Sequence, residues 1–222
     1  MLSSIEARAL GVLVEKQRTV PDTYPMSLNA LAAGCNQKNN RHPVMAAAES
    51  EVQAAVDRLK SLNLAVESSG GRVARYAHNI ERVLQIPEHA VALLAVLMLR
   101  GPQTPGELRI NGERLYRFAG IPAVETFLRE LAERPAGALA AELPRQPGSR
   151  ENRWAHLLCG APPQEPVAAA PAATLDSGHG PAGELAALRA DLARVEAEVR
   201  ELRASVARLS EELGARRKTE SS

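Results

Sequence analysis

Three features of this 222-residue chain point to a mainly α protein with small β-hairpins, an α+β arrangement of two tandem units followed by a coiled-coil helix. Residues 1–160 run twice through one order: three helical segments, then two short strands around a turn. Residues 161–182 hold five prolines among many alanines and almost nothing large to bury. Residues 183–214 space leucine and valine at alternating intervals of three and four. Aromatic residues make up only 3% of the chain, so the core must be built mostly from Leu, Val and Ala.

The first unit opens with Ser3-x-x-Glu6, a capping box that satisfies free N–H groups at a helix start. The helix behind it places Ile5, Leu10, Leu13 and Val14 on one side. Pro21 and Pro25 punctuate, and Ser27 caps a short helix carrying Leu28, Leu31 and Ala32. Residues 36–43, Asn-Gln-Lys-Asn-Asn-Arg-His-Pro, form a long polar loop. A third helix begins near Glu49 and buries Val52, Ala55, Val56, Leu59 and Leu62. Two strands, Leu64–Glu67 and Arg72–Tyr76, flank the turn Ser68-Ser69-Gly70-Gly71.

The second unit repeats this order. Its first helix, Glu88–Arg100, carries Val91, Leu94, Ala95 and Leu97 and ends at Gly101-Pro102. Thr104 caps the next helix, with Pro105 at the first helical position, where its missing N–H costs nothing. Arg109–Phe118 is expected to continue as a second short helical region holding Leu115. The third helix, Pro122–Glu133, buries Val124, Phe127, Leu128 and Leu131. Leu139–Leu143 and Asn152–Leu158 make a hairpin around Gln146-Pro147-Gly148-Ser149. Val56 aligns with Leu128 and Leu59 with Leu131.

In the last zone Leu185, Leu188, Leu192, Val195, Val199, Leu202, Val206, Leu209 and Leu213 form an unbroken heptad stripe, the pattern of a left-handed coiled coil. Across a parallel pair, Glu184 with Arg189 and Glu198 with Arg203 attract, while Asp191 with Glu196 repel. The expected partner through residues 185–213 is a second copy, a homodimer; one amphipathic helix folding back on its own chain, or docking a different partner, is the alternative.

Three helices followed by a hairpin is the order of the winged helix. In that fold the third helix can enter the DNA major groove, and the hairpin, or wing, can touch the backbone or minor groove. The expected organisation is therefore winged-helix domain 1 at residues 1–80 and winged-helix domain 2 at 81–160. A disordered Pro/Ala linker at 161–182, a coiled-coil helix at 183–214 and a disordered tail at 215–222 follow. Each unit is small, which favours their packing together.

Several strings resemble the YceH-like family of bacterial proteins. They are Tyr24-Pro25-Met26-Ser27-Leu28-Asn29, Cys35-Asn36-Gln37-Lys38-Asn39-Asn40-Arg41 and Glu49-Ser50-Glu51-Val52. Leu99 to Arg109 and Pro147-Gly148-Ser149-Arg150-Glu151 belong with them. The likeness covers residues 3–160. It implies tandem winged-helix domains and supplies no catalytic or ligand residue.

Function is narrowed first by exclusion. No apolar run is long enough to span a membrane, and the N-terminus lacks a basic start and apolar stretch; the expected location is the cytoplasm. Cys35 and Cys159 form neither a disulfide framework nor a zinc pattern, and the five histidines form no HxH or HxxxH pair, so no metal or cofactor is expected. No GxSxG, P-loop or GxGxxG motif is present, and a non-enzymatic role is expected. Glu107, Glu113 and Glu125 read as solvated helix carboxylates rather than a catalytic group.

Net charge is +1, with +2 in residues 1–80, +1 in 81–160 and −2 in 161–222. Binding to double-stranded DNA must then rest on architecture and a few local cations. The candidate DNA or anion contacts are Lys38 and Arg41 ahead of the third helix, and Ser50, Gln53 and Arg58 on it. Arg72 and Arg75 join them at the first wing, and Arg145, Arg150 and Arg153 at the second. Each arginine taken alone is also an ordinary solvated charge. Against DNA stand the exposed carboxylates of both third helices (Glu49, Glu51, Asp57; Glu125, Glu130, Glu133), which repel phosphates. They favour the alternative, an adaptor that docks a protein partner.

Overall fold

The computed structural model describes residues 1–68, 73–145, 149 and 151–161. The expectations for the linker, the heptad stripe and the tail lie outside the described residues, as do those for Arg72 and Arg150.

The chain is α+β. The first repeat runs α1 (Ser4–Thr19), β1 (Met26–Ser27), α2 (Leu28–Cys35), α3 (Glu49–Ser61), β2 (Ala65–Ser68) and β3 (Arg75–His78). A short helix, α4 (Ile80–Leu84), leads into the second repeat: α5 (Glu88–Arg100), α6 (Pro105–Asn111), α7 (Ile121–Ala132), β4 (Ala140–Glu142) and β5 (Trp154–His156). Capping follows the sequence signals. Ser3 with Glu6 and Thr104 with Glu107 close reciprocal boxes, and the Ser27 hydroxyl accepts from the Ala30 N–H.

Strands β1, β3 and β2 make one antiparallel sheet in that order, with Met26 opposite Tyr76, Ser27 opposite Arg75 and Ala65 opposite His78. β4 and β5 pair antiparallel, Ala140 opposite His156. The second repeat keeps a counterpart of β1 in one residue. Gln103, just before the Thr104 cap, exchanges both backbone hydrogen bonds with Trp154, at 3.0 and 2.7 Å. β1 and the Gln103 bridge are absent from the sequence reading; two residues, or one, are too few to show an alternating pattern.

The two repeats share one core. Helix α1 was expected to bury one side, yet every residue from Ala7 to Val14 is buried, as is every residue from Ala90 to Leu99 in α5. The reason is that α1 and α5 pack on each other, so each is covered both by its own repeat and by the other. Gly11 sits at the contact. A Cβ there would lie 3.1 Å from Leu99 Cγ and 3.3 Å from Met98 Cβ. A buried helix of this kind reads as apolar all round, which blurs its period.

The region 109–118 departs from expectation as well. Helix α6 ends at Asn111, and the chain turns at buried Gly112. A Cβ at 112 would be 2.8 Å from the Leu108 carbonyl oxygen and 3.1 Å from the Phe118 ring. The bend lets Phe118 fold back over the helix end. Among the described residues no helix is long and apolar enough to cross a membrane.

Candidate nucleic-acid interface

Arg41 overturns the clearest expectation. Placed in sequence ahead of α3, it was expected to reach phosphate, but its side chain is fully enclosed. Its Nη1 and Nη2 donate to the two Glu15 carboxylate oxygens at 3.1 and 2.5 Å. Nε donates to the Gly34 carbonyl at 3.1 Å, Nη1 also to Asn40 O at 2.9 Å, and Nη2 to Gln37 Oε1 at 3.3 Å. A guanidinium so occupied organises the loop from within and has nothing left for a ligand.

Beside it lies a second buried arginine. Arg8 interrupts the apolar run of α1 and donates to the carbonyls of Cys35 (3.2 Å) and Pro43 (2.7 Å). Burial and the neighbouring Arg41 pull its pKa below the usual arginine range. Burial pushes the Cys35 thiol up to about 11, so it is neutral and unreactive at pH 7. Arg8 and Glu15 went unnoticed in sequence. A lone arginine among apolar residues was the available signal for Arg8; nothing local links Glu15 to a partner 26 positions away.

On α3, Ser50 and Arg58 are exposed, Arg58 donating to Ser61 Oγ at 3.3 Å. Gln53 is half-buried, its amide donating to Asp57 (3.0 Å) and its oxygen accepting from the Tyr76 hydroxyl (3.4 Å). Lys60 is drawn to Asp57 and Glu67. What α3 offers outward is therefore Glu49, Ser50, Glu51, Ala54, Asp57 and Arg58, more acid than base. Lys38 is exposed on the loop that precedes the helix. At ~1.5 Å rise per residue, Arg58 lies about 14 Å along the axis from Glu49. Lys38 and Arg58 thus belong to opposite ends of α3.

Arg75 is exposed on β3 and donates to the Pro25 carbonyl at 2.8 Å, holding the approach to β1. In the second repeat Arg153 is 3.3 Å from Glu107. Arg145 opens onto a cleft of about 350 Å³ between α7 and the β4–β5 hairpin. Glu125, Glu142 and Glu151 line that cleft with Arg129, Arg145 and Trp154. Arg129 pairs with Glu125 at 3.5 Å, and Glu142 accepts from Asn152 at 2.8 Å. Arg145 and Arg153 of the second repeat thus sit beside carboxylates.

Comparison with known proteins gives family and no role. The model of a family described as "Protein of unknown function, DUF480" matches residues 2–149. A UPF0502 protein of Leptothrix cholodnii is 56% identical over 213 residues, covering 96% of both chains. A UPF0502 protein of Dechloromonas aromatica is 57% identical, covering 95% of this chain and 97% of that one. One from Burkholderia vietnamiensis is 56% identical, covering 96% of this chain and 89% of its own.

Proposed function

The chain belongs to DUF480, a family of proteins of unknown function, and from its own geometry we propose a non-enzymatic protein that binds double-stranded DNA through the first repeat and acts as an oligomer. The observation that carries this reading is the element order of residues 4–78: helix, short strand, helix, helix and hairpin, with the short strand in the hairpin's sheet. That is the winged-helix order, and its third helix and hairpin are the parts that meet a duplex in such folds. The second repeat follows the same order, Gln103 standing for the short strand.

Recognition on this reading is of backbone more than of bases. Lys38, Arg58 and Arg75 are exposed in the first repeat. Gln53 is held by its own neighbours, which leaves Ser50 and Arg58 as the candidate base readers on α3. Phosphate contacts fix position without reading sequence. The heptad stripe at 185–213 supplies self-association, which pairs two such surfaces.

The test is fluorescence anisotropy of the full chain on unrelated duplexes of about 30 bp, between ~50 and ~200 mM salt. Affinity that falls steeply with salt and differs little among sequences supports the proposal. No binding at the lowest salt overturns it. One observation favours a second reading, a protein-docking adaptor: the carboxylates on the outer faces of α3 and α7 and in the second-repeat cleft. The same null result would hand the role to that surface.

A further inference from the structure

The repeats differ where the second helix joins the third. The connection is residues 36–48 in the first repeat and 112–120 in the second, 13 residues against 9. The longer loop is held from every side. At its base the Asn36 side chain and the Ala47 backbone exchange two hydrogen bonds of 2.8 Å each. Inside, Arg41 binds Glu15 and Gly34 O, and Arg8 binds Pro43 O. Across the repeats, the His42 N–H donates to Leu99 O at 2.8 Å, and Arg100 Nη2 donates to Asn40 Oδ1 at 2.5 Å. The loop is therefore fixed to both repeats at once.

Charge is one-sided here. Arg8 and Arg41 are buried, Arg100 is half-buried and Lys38 is exposed. Among the described residues the hydrogen bonds of Arg8 go only to carbonyls, and that of Arg100 only to an amide oxygen. Glu15 is the one carboxylate in direct contact, and it is shared between Arg41 and Lys16. Glu49 and Glu51 open α3 just past Ala47, at the base of the loop and not at its tip, with Glu51 accepting from the Ala48 N–H. Two enclosed cations against one carboxylate leave a positive residue of charge beneath the loop. Its field is screened less there than at an open surface.

We propose that the loop tip, residues 37–42, together with Arg100 of the second repeat, forms a composite phosphate-binding knuckle for the DNA backbone, with Lys38 and Arg100 as the contacting cations. This rests on the DNA reading above and extends it to a residue outside the first repeat. Lys38 lies two residues from Asn40, at most ~7.6 Å between Cα atoms, so both cations address one neighbourhood. Arg100 has one of its five N–H donors engaged among the described residues. A pre-ordered loop gives up little entropy on binding, the usual condition for a well-defined phosphate contact.

The experiment measures the salt dependence of duplex binding for the full chain, Lys38→Ala, Arg100→Ala and the double variant. Each lost phosphate contact lowers the salt slope by about 1. The double variant is expected to lose about 2, equally on all sequences. A wild-type chain that binds while the double variant keeps its slope overturns the knuckle and leaves the DNA reading intact. A wild-type chain that does not bind overturns both. If Arg100→Ala perturbs folding, Lys38→Ala alone decides, because Lys38 has no hydrogen-bond partner among the described residues. An unchanged slope in that variant counts against the proposal.

Discussion

Arg41→Met is the substitution that separates an internal role for this arginine from a surface one. The change keeps an unbranched stem, two heavy atoms shorter than arginine, and removes five hydrogen bonds, two of them to the Glu15 carboxylate. Hydrogen bonds to charged groups contribute ~1.5–3 kcal/mol each and do not simply add. Removing one partner of a buried ion pair costs ~3–5 kcal/mol. Glu15 keeps 15% side-chain exposure and has Lys16 at 3.7 Å, so it regains some solvation. The expected loss is therefore at the lower end, about 3 kcal/mol, against a typical total of ~5–15. With a urea dependence of ~1–3 kcal/mol per molar, the unfolding midpoint falls by about 1–3 M. Glu15→Gln strands the guanidinium instead, beside Arg8. The double variant should lose at least ~2 kcal/mol less than the two single losses together, because both break the same interaction. Losses below ~1 kcal/mol, or additivity within ~0.5 kcal/mol, refute the assignment of Arg41 to the interior.

Three further outcomes are expected. Gly34→Ala places a Cβ 2.6 Å from Val12 Cγ1, so the ~1–3 kcal/mol of overpacking outweighs the ~1 kcal/mol that alanine gains in a helix; thermal unfolding should show a net loss that the added Val12→Ala change makes no worse, and a stabilised Gly34→Ala chain contradicts the packing. Burial holds His78 and His156 down to about 4, Arg18 adding a smaller push at His78, against about 6.5 when unfolded. The unfolded chain then binds more protons between pH 6.5 and 4, so stability is full above that window and declines as pH falls through it, by about 2 kcal/mol per histidine from pH 7 to 5; a His156→Gln chain whose pH profile is as steep as the parent's would count against this. Removing residues 183–222 should convert an oligomer into a folded monomer, read by light scattering, and an unchanged mass removes the heptad stripe from the account.

Local signals were legible where one residue does one job. The caps at Ser3, Ser27 and Thr104, the start of α3 at Glu49 and the third helix of the second repeat all follow from neighbours a turn away. What escaped depends on distant chain. The all-round burial of α1 comes from α5, and the turn at Gly112 comes from Phe118 folding back over it. At the candidate site, exposure of Lys38, Ser50, Arg58 and Arg75 was legible from polarity alone. The inward turn of Arg41 was not. An arginine in a polar loop looks solvated until the carboxylate that claims it, Glu15 on another helix, is brought within 2.5 Å. Arg100 was hidden for the same reason, since only the packing of α5 on the first repeat carries it to Asn40.

The most direct measurement is hydrogen exchange of the full chain with and without a duplex, read segment by segment. Binding through the first repeat predicts slower exchange at residues 36–43, at the β2–β3 hairpin and at the end of α5 around Arg100, with α7 unchanged. Protection confined to α7 and the β4–β5 hairpin would contradict it and place the contact on the second repeat.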